Sequence, residues 1–240
     1  TPGDIDVWLK GGRKDILAYV RHHVPKCKPV YHHVDFPVVE GLDIEIHFTP
    51  SWMNSPMINR RLQQFFRSFD FCSPSTIYKD IPSPNLAFNR VYILVHIYRH
   101  LFSEGIGLRQ FCDMAIAIRF YSERISPLEM REIYRQAGLG KWVELLEAFL
   151  VEYLGLDLNQ SLNEEMHSKY VKKTRILLDI IVKGGNFGHF TGKREMASQN
   201  KVSRKLHTLT SFWGNLPFVL TYAPGEWFWT MVQLTGGQMR

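Results

Sequence analysis

The hydrophobic pattern changes period once along the chain. Residues 4–10 alternate, with Ile5, Val7 and Leu9 on one side and Asp4, Asp6, Trp8 and Lys10 on the other, which predicts a half-buried strand. Gly11-Gly12 then turns the chain into a predicted helix over 13–23, with Ile16, Leu17 and Val20 able to face the sheet and Val24-Pro25 to stop it. Residues 30–36 and 42–48 are β-rich runs separated by Pro37 and Glu40-Gly41, the pattern of an antiparallel hairpin with a longer loop. In the second run Leu42, Ile44, Ile46 and Phe48 point one way, and Asp43, Glu45 and His47 the other.

From Pro50 onward the apolar positions recur with the helical period of about 3.6. The spacing predicts helices over 57–69, 87–103, 107–122, 127–137, 140–154, 162–183 and 203–221, and a last one after Pro224. Asn85, Ser126 before Pro127, and Asn163 with Glu164 behind it are capping residues for helix starts. Gly105, Gly138 and Gly184-Gly185 mark helix ends. Residues 186–202 read as a polar loop with basic content. The fold class expected is therefore α+β: a small mixed sheet core in residues 1–55, then a mainly helical domain in 56–240.

Composition narrows the function classes. A chain of 240 residues that is 45% hydrophobic is globular, not disordered or fibrous. The net charge of +6 is scattered without a basic run, so phosphorylated small molecules suit it as well as nucleic acid does. Three widely spaced cysteines, Cys27, Cys72 and Cys112, argue against a disulfide framework and against a four-cysteine zinc site, and a reducing cytoplasm is the location expected. Thr1-Pro2-Gly3 opens neither a basic nor an apolar segment, so no signal peptide is expected. The apolar stretch from Phe212 to Leu234 is broken by Asn215, Pro217, Pro224, Gly225 and Glu226, which predicts packed helices and no stable membrane insertion.

The carboxylates carry the chemistry. Asp4 and Asp6, two apart on a strand, share a face and can hold hard cations side by side. Glu45, expected on an antiparallel strand, would complete a site for two Mg2+ ions of the kind that supports phosphoryl or nucleotidyl transfer. Alone, an Asp-x-Asp strand reads equally well as a solvated face. Asp43 shares the face of Glu45, and Lys10 that of the aspartates.

In the helical part, His96 and His100 stand one turn apart but lack the Glu of a His-Glu-x-x-His metal site, which points to a structural role. Arg109 and Asp113 suit an intrahelical pair; turned toward a cleft, Arg109 becomes a phosphate or acceptor contact. Arg90-x5-His96 fits loosely the spacing of helical ribonucleases. Cys112 reads as a buried small hydrophobe, and Trp213, Trp227 and Trp229 read as core. Lys193-Arg194, Lys201 and Arg204-Lys205 read first as a solvated basic surface, with contacts to an anionic acceptor as the alternative.

Gly3-Asp4-Ile5-Asp6-Val7-Trp8-Leu9 resembles the Gly-x-Asp-x-Asp strand of the polymerase-beta-type nucleotidyltransferases, and residues 42–48 resemble the later strand that brings their third carboxylate. His96-x3-His100, Gly105, Leu108-Arg109, Asp113 and Gly184-Gly185-Asn186-Phe187-Gly188 are similar, more specifically, to the uncharacterised bacterial nucleotidyltransferase family related to polysaccharide gene clusters. The resemblance implies that Asp4, Asp6 and Glu45 are catalytic and hold Mg2+ or Mn2+, with a nucleoside triphosphate as substrate. It implies transfer of a nucleoside monophosphate to an acceptor hydroxyl of a sugar, small metabolite, protein or RNA, with Arg109, Lys10 and Asp43 as candidate substrate contacts. Such enzymes place a Gly-Ser turn for the triphosphate just before the Asp-x-Asp strand, where the given chain has only Thr1-Pro2. The core is therefore expected to be incomplete at its N-terminal side, with the turn either upstream or lost. Its loss would make the protein a catalytically inactive nucleotide- or partner-binding module of the same fold.

Overall fold

The computed structural model describes residues 5–68, 73–74, 82–103, 105–121, 125–160, 164–184 and 216–235. Two compact units divide between Trp52 and Met53. The fold is α+β: among the described residues, a three-stranded mixed sheet, a short two-stranded pair, and helices through most of the rest.

In the first unit, β1 (Ile5–Trp8), α1 (Arg13–His23), β2 (His33–Asp35) and β3 (Ile44–His47) follow the predicted β-α-β-β order. The sheet order is β1-β3-β2. Period-2 alternation turns Val34 and Ile46 to one face, where Ile16 and Val20 of α1 close over them, with Val7, Leu9 and Leu17 packed at the rim. Burying that stripe fixes the register, because a one-residue slip would send the whole apolar set to the opposite face. The expected direction of β3 needs correction. It is antiparallel to β2, as a hairpin requires, but parallel to β1. Side-chain alternation is the same in both kinds of ladder, so Asp6 and Glu45 still share a face.

The second unit holds α2 (Pro56–Ser68), the short antiparallel pair β4 (Ser73–Pro74) and β5 (Pro82–Ser83), and α3 (Leu86–Ser103). It continues with α4 (Leu108–Tyr121), α5 (Pro127–Gln136), α6 (Gly140–Leu154), α7 (Glu164–Gly184), α8 (Leu216–Tyr222) and α9 (Pro224–Thr235). Caps set the starts: Asn85 Oδ1 accepts the Phe88 amide at 2.9 Å, and Ser126 Oγ accepts that of Glu129 at 3.1 Å. Helix α6 packs against α4, α5 and α7, and from Trp142 to Leu150 all but Glu144 is buried. The predicted helix over 203–221 is seen from residue 216; Trp213, Cys72 and the basic residues from Lys193 to Lys205 lie outside the described residues. Trp227 and Trp229 are half-buried. Cys112 is exposed, which corrects the expectation of burial: α4 turns Phe111, Met114, Ala115 and Ile118 inward and leaves position 112 on its outer side.

Glu226 ties α9 to the start of α2. Its carboxylate accepts the amides of Asn54 and Ser55 at 2.6 and 2.7 Å, just ahead of Pro56. Such an acceptor satisfies donors that a helix start leaves open. Glu226→Ala is expected to lower the unfolding free energy by about 1–3 kcal/mol per orphaned amide, read by denaturant titration.

Candidate functional site

The face of the sheet opposite α1 is polar, and the register lines its groups up. Asp6 on β1 stands opposite Glu45 on β3, which stands opposite Asp35 on β2. In the adjoining row Trp8 stands opposite His47, and His47 opposite His33. Three carboxylates thus cross the three strands side by side, with two imidazoles in the next row.

The side chains converge on Glu45. His47 Nε2 lies 3.1 Å from Asp6 Oδ1 and 3.2 Å from Glu45 Oε2. His33 Nδ1 lies 2.8 Å from the same Glu45 oxygen, and its Nε2 lies 3.7 Å from Asp35 Oδ1. Exposure is graded across the row: the Asp35 side chain is 74% exposed, Asp6 41% and Glu45 24%, while His47 is only 8% exposed. Burial alone would lower the pKa of His47. The hydrogen bond and charge of Asp6, with the charge and hydrogen bond of Glu45, outweigh it and hold the pKa above 6.5. Nε2 of His47 faces two carboxylate oxygens and donates its proton toward them, while Nδ1 is buried with no hydrogen-bond partner among the described residues.

One donor atom each from Asp6, Glu45 and His47 falls within 4.8 Å of the others, and the same holds for His32, His33 and Glu45. Carboxylate oxygens gathered this closely are the donor set a hard divalent cation takes, and the His47 imidazole, on giving up its Nε2 proton, extends the fit to Mn2+. The residues present fit such an ion.

Of the residues singled out by sequence, the sheet brings Asp6 and Glu45 together. Asp4 lies outside the described residues. Asp43 is exposed one residue before β3, its carbonyl accepting the Ile5 amide at 2.8 Å, and Lys10 is exposed two residues beyond β1. Arg109 and Asp113 are exposed on α4, in the other unit. His96 and His100 lie one turn apart along α3 with tilted rings, centroids 4.3 Å apart, next to Tyr92. Arg90 is 1% exposed and faces Glu147 at 3.6 Å, so its guanidinium is a core group and not one presented to RNA.

Sequence reasoning passed over His33 and Asp35 and left His47 without a role. His47 was within reach, since it alternates with Glu45 on one strand. His33 and Asp35 depend on hairpin register, which the long loop between the strands hides.

Compared with known families, residues 3–155 match the family described as "Uncharacterised nucleotidyltransferase". Neither a curated protein nor a solved structure gives a significant match. Among the described residues, no helix is long and apolar enough to cross a membrane.

Proposed function

The chain belongs to this uncharacterised nucleotidyltransferase family, and from that premise we propose that it moves a nucleoside monophosphate from a nucleoside triphosphate to an acceptor hydroxyl. The observation that supports this is the pairing of Asp6 with Glu45 in one register row, their carboxylates meeting at His47. Asp6 and Glu45, with Asp4 beside them in sequence, are the residues to hold Mg2+ or Mn2+. A divalent ion bound there supplies charge neutralisation for the phosphates. Glu45 accepts the proton of the acceptor hydroxyl. That oxygen bonds to the α-phosphorus, the bond from phosphorus to the bridging oxygen breaks, and pyrophosphate leaves. His47, bonded to both carboxylates, holds them at a fixed separation.

In this reading residues 1–55 form the catalytic core and 56–240 select the acceptor, whether sugar, small metabolite, protein or RNA. Lys10, Asp43 and Arg109 are the candidate substrate contacts. A cytoplasmic location and a place in polysaccharide gene clusters belong to the same proposal. The rival reading, an inactive nucleotide- or partner-binding module, keeps the fold without transfer.

A thermal-shift panel of ATP, GTP, CTP and UTP, with and without Mg2+ or Mn2+, tests the site. Ligand at 100 times its dissociation constant is expected to raise stability by about 2.7 kcal/mol. The shift should need the metal, favour one nucleotide and vanish in Asp6→Asn. No shift with any of the four, in a protein that carries the Gly-Ser turn ahead of the Asp-x-Asp strand, would overturn the transferase reading in favour of the partner-binding module.

A further inference from the structure

A second group of donors adjoins the Asp6–Glu45 pair, and its chemistry is different. We propose that His32, His33 and Glu45 form a site for a borderline transition-metal ion, of the Zn2+ or Co2+ class, beside the hard-cation site and sharing Glu45 with it. The proposal does not depend on nucleotide transfer, because it concerns the affinity of this sheet face for a metal.

The backbone makes the site. Adjacent residues on a regular strand point to opposite faces. His32, however, lies in a bend just before β2, its carbonyl accepting the Phe48 amide at 2.7 Å. The bend brings the two imidazoles together, with ring centroids 4.3 Å apart. Trp52 packs on the His32 ring at 3.8 Å, itself braced edge-on by Tyr31, so one face of the His32 ring is held in place. The His47 ring stands 5.5 Å from that of His32 and 5.4 Å from that of His33.

The donor atoms are spaced for one ion. Those of His32, His33 and Glu45 lie within 4.8 Å of one another, and His33 Nδ1 to Glu45 Oε2 is 2.8 Å. Ligands on a tetrahedral ion with bonds of about 2.1 Å sit about 3.4 Å apart, so small side-chain movements close the set. Asp35 lies toward the other nitrogen of His33, where ligating histidines carry an orienting carboxylate.

Hardness then decides which metal. Two nitrogens and one oxygen are a poor set for Mg2+, which demands oxygen ligands, and a good one for Zn2+ or Co2+. With the oxygen donors Asp6 and Glu45 alongside, one carboxylate is common to two sites of different preference.

The test uses the full chain, stripped of metal and titrated with Co2+ under visible spectroscopy, then with Zn2+ and Mg2+ as competitors. One equivalent of Co2+ is expected to give d–d bands that Zn2+ removes and excess Mg2+ leaves. The bands should persist in Asp6→Asn. In His32→Gln and in His33→Gln they should be lost, with Zn2+ affinity at least about tenfold weaker. His32 lies outside the strands, so His32→Gln leaves the ladder intact; far-UV circular dichroism confirms that it is folded, and its result decides if His33→Gln is not. Bands that survive His32→Gln, that vanish only in Asp6→Asn, or that never form would overturn the proposal.

Discussion

Glu45→Gln is expected to cut nucleotidyl transfer by about 10²–10⁴-fold, the range lost with a positioned proton acceptor, while the protein stays folded. Glu45 is on the central strand, and its Oε2 stands within 3.2 Å of His47 Nε2 and 2.8 Å of His33 Nδ1. Gln keeps the shape and one oxygen but loses the charge, so it can neither take the hydroxyl proton nor neutralise a cation. Asp6→Asn should fall comparably, since Asp6 is the paired carboxylate on β1. Asp35→Asn is the control within the same row. Its side chain is 74% exposed at the edge strand, and the change should be small. Pyrophosphate release reads all three without knowledge of the acceptor. Undiminished release in Glu45→Gln would remove the chemistry from this face of the sheet.

The contrast between those positions shows how far the sequence could be read. Asp6 and Glu45 were legible because alternation assigns a face to every strand residue, whatever the strand direction. Helix bounds were legible where the chain carries its own punctuation, as at Asn85, Ser126 and Gly138. The parallel alignment of β1 with β3 was not, because it depends on which edge of the hairpin β1 joins. His33 and Asp35 were hidden for a related reason: they reach Glu45 through cross-strand pairing, which no local spacing encodes. Arg90 and Glu147 were hidden by a different rule. Charged residues on helices are normally solvated, so a pair inside the core is unreadable until α3 and α6 are both in place.

That pair supports the second large expectation: Arg90→Met should destabilise the helical unit by about 3–5 kcal/mol. For a unit of this size that is a fall in melting temperature on the order of 10 °C. The guanidinium and the Glu147 carboxylate are each 2% exposed and 3.6 Å apart, and Arg90 Nε donates to Tyr134 Oη at 3.2 Å. Burial pushes the Glu147 carboxyl up to about 7, against the pull of Arg90 and then of Arg131. Without Arg90 it must rise further. A folded-state pKa above the unfolded value of 4.5 means that both states are protonated below pH 4.5, while above it the fold must hold a proton or bury a lone charge. That cost falls on parent and variant alike up to about pH 7; above it the parent's Glu147 ionises beside Arg90 while the variant's, pushed higher, does not. The deficit of the variant should therefore be flat below about pH 7 and widen as pH rises through it. Arg90→Met with Glu147→Leu should recover most of the loss, since an apolar replacement of a buried pair is often neutral or better. Melting curves of the single and double variants across pH decide the matter. If Arg90→Met melted like the parent protein but lost activity, Arg90 would belong to a functional site; burial at 1% exposure argues that it belongs to the core.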